Sequence, residues 1–405
     1  MTNCPRGVLT AILGAALVTT ALATTTVATT PPATAALAAS APVGGASVAR
    51  AGGELQRDVD AIRATGAVGV QARVSNRSGT TTAVSGVADL RTGAPVPANG
   101  FFRTGSSTKT FVATVILQLV GERKVSLDDS VERWLPGVVR GNGNDGRRIT
   151  VRNLLQHTSG IHDDIPSPST AVEYYAHRYD VVRGSELVRR AMTHLPDFQP
   201  GKGWNYSNTG YVLLSMITER ATGHSWYAEV QARIIRPLGL RDTYWPGLGA
   251  GVRSPHANGY QIYPGQNPTD VTIGREAYMA GGAGGFVTTT ADQTRFFQAL
   301  VGGRLLRPAQ LTAMQQTIPV AGQLAEIWPG ARDGLGLFSR PLSCGGVYWT
   351  HNGDILGYMT RNAFTPDGRS AVVSVSTERQ DSVANVIAQD RATGALIDHA
   401  LCTNH

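Results

Sequence analysis

A serine and a lysine three residues apart, Ser106 and Lys109, can together do chemistry that neither does alone. At the start of a helix this spacing places both side chains on one face. A serine hydroxyl is a poor nucleophile until a neighbouring base takes its proton. A lysine amine becomes that base once burial or nearby positive charge lowers its pKa. The helix start also presents the backbone N–H of Ser106 to a developing oxyanion. Further along, Tyr206-Ser207-Asn208 offers a phenol able to relay a proton and an amide able to grip a peptide carbonyl. Read alone, Asn208 is more simply a helix cap in a turn. His351-Asn352-Gly353 falls on a strand-like run after Cys344. A glycine there lets another backbone come close to the strand edge.

These residues need elements to hold them. Leu55, Val59 and Ile62 share one face of a helical run, and residues 68–75 and 80–87 read as two strands around an Asn76-Arg77-Ser78-Gly79 turn. Residues 110–120 are almost continuously apolar and stop at Gly121, which predicts a buried helix directly after Ser106. Helices are also expected at 151–155, 186–192 and 211–220. Strands return at 347–350, 358–364 and 370–376, with Pro366-Asp367-Gly368 turning the chain between the last two, and a helix at 382–401 closes the sequence. Strands at both ends around a helical middle predict an α/β domain built from residues 42–105 and 276–405, with a mainly helical domain, 106–275, inserted.

The order S-x-x-K, Y-x-N, H-x-G within this layout resembles the penicillin-binding and class C β-lactamase superfamily. Within it the chain looks most like secreted D-alanyl-D-alanine carboxypeptidases of the Ser-Lys-Tyr type. The resemblance runs from about residue 55 to 402, including the stretches 149–161, 200–243 and 334–353. It implies an antiparallel sheet flanked by helices, with the helical domain inserted (the penicillin-binding/β-lactamase fold). It implies Ser106 as the acylated nucleophile, with Lys109 and Tyr206 sharing the proton work. Asn208 would hold the acyl-side amide, and His351 would keep the site electropositive. Asn352, Gly353 and Asp354 would border the substrate, the Asp354 N–H being the second oxyanion donor.

The sequence departs from the carboxypeptidase pattern on the leaving-group side. Asp354 stands where those enzymes carry a hydroxyl residue, and Phe338 stands where an arginine grips the terminal carboxylate. Arg340, two residues on, shares Phe338's face of a strand and is the candidate replacement. The resemblance calls for no metal and no organic cofactor. The partners it implies are peptidoglycan-type D-peptides, small esters or amides, and β-lactams as covalent ligands. Esterase, D-aminopeptidase, amidase or β-lactamase action on the same site are the alternatives, as is an idle receptor that only binds. His157 reads as a structural loop histidine, His162-Asp163-Asp164 as a polar loop more than a cation site, and Tyr278 or Met279 as a wall of the cleft.

Composition sets the class. The 405 residues are 42% hydrophobic and 16% charged, which describes an ordinary globular protein. The net charge of +7 is spread without a basic block, so nucleic acid is not an expected partner. Residues 1–41 carry one early positive charge, an apolar run over 7–23 and a leader rich in Ala, Thr and Pro, the pattern of a cleaved secretory signal. A secreted monomer without a stable membrane anchor is expected. Cys4 leaves with the signal, and Cys344 and Cys402 remain as a disulfide pair in an oxidising compartment.

Overall fold

The computed structural model describes residues 43–402, so the signal and leader expected at 1–41 lie outside the described residues. The frame is an antiparallel sheet of nine strands. A hairpin of β1 (Gly69–Asn76) and β2 (Gly79–Gly86) forms one edge. In the strands of the last part of the chain, β3 is Phe338–Pro341, β4 Val347–Thr350, β5 Gly353–Ile355, β6 Tyr358–Phe364 and β7 Ser370–Val375. The order runs β2, β1, β7, β6, β4, β3, followed by two two-residue strands, and β5 pairs with β6 beside β4. The two chain ends meet one strand in from the hairpin edge, where β1 lies on β7 with Val70 opposite Val375.

Both faces of this sheet are covered, and the side chains alternate accordingly. On the outer face Val70, Ala72, Val373 and Val375 pack against α1 (Val43–Ala64) and α6 (Val383–Cys402) through Leu55, Val59, Ile62, Leu396 and Leu401. On the inner face Phe364 and Val372 belong to the larger core with α2 (Thr108–Gly121), α3 (Gly184–Ala191), α4 (Asn208–Thr222) and α5 (Thr290–Val301). Phe297 stacks on Phe364 with centroids 4.6 Å apart, and Phe296 stacks on Phe111 at 3.5 Å. A helix apolar on every side belongs in such a core. From Thr108 to Leu117 every residue of α2 is buried. The nucleophile turn therefore rides on the most enclosed helix of the inner layer.

Capping fixes where the site helices begin. Ser207 accepts from Gly210 N at 3.3 Å and starts α4, so Tyr206 sits just outside the helix and Asn208 at its first position. Cys344, in the turn between β3 and β4, is bonded to Cys402 at the end of α6, with Cα atoms 5.7 Å apart. No described helix is long and apolar enough to cross a membrane.

Candidate active site

Ser106 lies in a single 3-10 turn, Gly105–Ser107, that runs into α2. Gly105 has φ of 54°, and a side chain there would meet Asp354 N and O at 2.8 Å. Only glycine takes that conformation at no steric cost. Ser107 Oγ ties the turn to its surroundings: it donates to His351 O and accepts from Asn362 Nδ2 at 3.1 Å and Gln293 Nε2 at 3.3 Å. The turn is thereby joined to the β4–β5 strands, to β6 and to α5. Ser106 itself is only half buried.

Lys109 is fully buried one turn along. Its Nζ contacts Ser106 Oγ at 3.1 Å, Asn208 Oδ1 at 2.6 Å and Ala283 O at 2.6 Å. Burial pulls its pKa down to about 7, while the charge of Asp163 pushes the other way. As a neutral amine Lys109 has two hydrogens and one lone pair. The two carbonyl oxygens take the hydrogens, which leaves the lone pair for the Ser106 hydroxyl. This is the geometry of a serine ready to lose its proton.

Tyr206 faces the same amine, its ring centroid 4.8 Å from Nζ. Burial holds the phenol well above its usual range, with the Ser106 hydroxyl acting in the opposite sense. It is therefore a neutral phenol, and Lys109 is the more readily available base. Behind it the His157 ring lies 4.3 Å away, and His157 Nδ1 accepts from Ser207 N at 3.1 Å. The loop histidine thus supports the Tyr206-Ser207-Asn208 corner. Asp163, read from sequence as part of a polar loop, accepts from Asn208 Nδ2 at 2.8 Å and from Thr209 N at 2.9 Å.

The third segment differs from expectation in three ways. His351 is buried, its Nδ1 is 2.9 Å from Asn352 O, and burial with the nearby Lys109 depresses it to about 3. It is neutral and lends the site no positive charge. The space left by Gly353 is taken by the nucleophile turn, not kept for a ligand backbone. A side chain there would run into Thr104 O and stand 2.8 Å from Ser106 N. Asp354 is not a bare charge: Arg361 holds it by two hydrogen bonds of 2.7 and 3.3 Å and also reaches Asp390 at 2.8 Å. Asn352 is buried, with its Oδ1 accepting from Thr350 Oγ1 at 2.9 Å.

Ser106, Tyr206, Asn208, His351, Asn352 and Asp354 line one cleft of about 510 Å³. Phe338 also borders it, its ring edge-on to His351 at 5.2 Å. Arg340 does not. Its guanidinium lies over Trp328 at 5.3 Å and borders a neighbouring cavity. Strand alternation puts Arg340 and Phe338 on one face, but Trp328 stands at the boundary and holds the arginine outside. Met279 likewise borders a different cavity, and Tyr278 stacks on Trp245 at 5.8 Å. Arg361, Asp390 and Trp328 carry no motif in the sequence; they are single residues brought together from β6, α6 and the end of the short helix Gly322–Ile327.

Residues 55–395 match the family described as Beta-lactamase. Penicillin-binding protein 4* of Bacillus subtilis (strain 168) is 27% identical over 312 residues, 73% of this chain and 65% of that protein. The chain thus spans just under two thirds of that relative's length. The solved D-stereospecific amidohydrolase from Streptomyces sp. superposes with a TM-score of 0.76 at 36% identity, over 87% of this chain and 99% of its own. The D-amino acid amidase from Ochrobactrum anthropi SV3 superposes with a TM-score of 0.73 at 27% identity, over 85% of this chain and 96% of its own. The chain belongs to the β-lactamase family of serine hydrolases, which also holds the penicillin-binding proteins.

Proposed function

We propose that this protein hydrolyses amide and ester bonds of D-amino-acid derivatives, short D-peptides among them, through an acyl-enzyme on Ser106. The observation that carries the reading is the Ser106–Lys109 contact of 3.1 Å, with both remaining amine hydrogens held by carbonyl oxygens. Ser106 Oγ bonds to the substrate carbonyl carbon as its proton passes to Lys109 Nζ. The oxyanion is received by the N–H groups of Ser106 and Asp354. The C–N or C–O bond then breaks, and the leaving group takes a proton through the neutral Tyr206 phenol. Water repeats the sequence and frees Ser106. His351 holds the strand and stays uncharged. The D preference is supported by the similarity to a D-stereospecific amidohydrolase. Export is supported by the signal-like first 41 residues and by the Cys344–Cys402 bond.

The charge balance selects the leaving group. Asp354 and Asp390 face the cleft with one cation, Arg361, bridging them, so the group carries a net negative charge. A free substrate carboxylate entering beside Asp354 is disfavoured by on the order of 1 kcal/mol or more. Phe338 offers it no donor, and Arg340 lies outside. Amides and esters are therefore the better substrates, and a D-Ala-D-Ala acid, the carboxypeptidase substrate, is the poorer member of the class.

The test is kcat/KM for D- and L-phenylalanine amide, D-phenylalanine methyl ester, and D-Ala-D-Ala as acid and amide, in wild type and Ser106→Ala. We expect at least about tenfold preference for D over L, a similar preference for amide over acid, and no turnover in the variant. Equal rates for the two enantiomers, or an acid preferred over its amide, would remove the substrate assignment. Activity retained in Ser106→Ala would remove the mechanism.

A further inference from the structure

Beside the cleft, the Asn208–Lys109 contact continues to a carboxylate that neither the three motifs nor the proposed reaction has used. Asp163 sits in the loop between Gly160 and Pro166, and its carboxylate is held from one side only. One oxygen accepts from Thr209 N at 2.9 Å and Thr209 Oγ1 at 3.0 Å; the other accepts from Asn208 Nδ2 at 2.8 Å. An amide whose nitrogen is claimed by a carboxylate must present its oxygen in the other direction. That direction is Lys109 Nζ, 2.6 Å from Asn208 Oδ1. The Asn208 amide therefore has one orientation, set by Asp163.

We propose that Asp163 is a positioning residue for acylation: it locks Asn208 with its oxygen on Lys109 and, by its charge, keeps that buried amine basic. The inference rests on the acyl-enzyme reading above. A base buried without a counter-charge loses affinity for the proton it must accept. Among the described residues, the other titratable groups beside Lys109 are His157 and His351, both held neutral, and the buried phenols Tyr206 and Tyr211, whose own neighbours include the carboxylates Asp333 and Asp354. Asp163 is then the formal negative charge acting on the amine. Asn208 keeps one amide hydrogen for a substrate carbonyl, so its two duties do not compete.

A fluorophosphonate reports on this step without knowledge of the natural substrate. Ser106 Oγ bonds phosphorus, fluoride leaves, and Lys109 takes the serine proton. Intact-protein mass spectrometry follows the labelling rate between about pH 5 and pH 10 in wild type, Asp163→Asn and Asp163→Glu. The wild-type rate should rise with pH through a midpoint at about 7, as Lys109 becomes neutral. Removing the neighbouring negative charge lowers a lysine pKa, so Asp163→Asn should move the midpoint down by at least about half a pH unit. Its plateau should fall about tenfold as the Asn208 amide loses its fixed orientation. Asp163→Glu keeps the charge but misplaces it, so the midpoint should stay and the plateau fall about fivefold.

A folded Asp163→Asn protein with the wild-type midpoint overturns the inference, since a purely structural role lowers the plateau alone. If that variant does not fold, Asp163→Ser, which also removes the charge, decides by the same reading: a lowered midpoint supports the proposal and a wild-type midpoint overturns it. Wild type that takes no label at Ser106 overturns the acyl-enzyme reading itself, a failure visible before any variant is made.

Discussion

At the scale of single residues the site works by keeping groups uncharged that water would charge. Lys109 is expected to be half neutral at about pH 7, and Tyr206 remains a phenol throughout. Lys109→Ala and Tyr206→Phe are each expected to slow acylation by at least about a hundredfold, the scale of a lost general base or acid, in single-turnover measurements. Either variant acylating within a few-fold of wild type would free that residue from its role. The neutral histidines have a cost that appears in acid. The folded chain holds His351 at about 3, whereas the unfolded imidazole titrates at about 6.5. From pH 6.5 downward the unfolded state therefore binds more protons, and stability present above that pH is lost as it falls towards 3. Urea midpoints should drop between about pH 7 and pH 4.5, and by less in His351→Gln. The legible residues were those with a motif: Ser106, Lys109, Tyr206, Asn208 and His351 meet in one cleft. Asp163 was read as loop polarity because its partners, Asn208 and Thr209, lie far along the chain. Arg361 had no flag either, since its carboxylates come from a different strand and a helix.

At the scale of elements, what matters is how closely β5 approaches the nucleophile turn. Gly353 lies against Thr104 O, Ser106 N and Ser107 N, all backbone atoms that have no rotamer with which to retreat. Gly353→Ala should therefore push β5 off the turn and displace the Asp354 N–H. Acylation should fall about a hundredfold or more, the scale of a lost oxyanion donor, with little change in far-UV circular dichroism. Labelling at the wild-type rate would show that the turn yields more easily than its packing suggests. Strands β4 and β6 have the bounds read from sequence because each is a short run between turn residues that opens and closes on a β-branched or aromatic side chain. The helix read at 110–120 begins two residues earlier, at Thr108, whose Oγ1 bonds Gly105 O at 2.8 Å and joins the two turns. Helix α5 was not read, although Phe296, Phe297 and Leu300 mark its buried face. Its polar first half hid it, and that half supplies Gln293, which accepts from Thr104 Oγ1 at 2.8 Å.

At the scale of the whole molecule, the layout of a helical middle between two strand-rich ends was legible, because the hydrophobic period changes twice along the chain. The pairing of β1 with β7 was not, since period alone does not choose partners across three hundred residues. The Cys344–Cys402 bond joins the β3–β4 turn to the end of α6, where Ser343 N also bonds Asp398 at 2.9 Å. Its loop of 58 residues corresponds to about 4 kcal/mol in the chain-entropy account. Cys344→Ser with Cys402→Ser should lower the urea midpoint accordingly while leaving labelling of Ser106 intact. A midpoint unchanged between oxidised and reduced wild type would mean that the bond constrains nothing. The β1–β7 pairing bears on how the chain is made. A ribosome delivers residue 70 long before residue 375, so the first hairpin has no neighbour on its inner edge until synthesis is nearly complete. Contacts so distant along the chain make folding slow, because loop closure must precede the packing that rewards it. Until then Gly353 is absent from the nucleophile turn and the oxyanion pocket does not exist. The oxyanion pocket is thus completed only after residues 353 and 354 reach the nucleophile turn, late in the making of the chain.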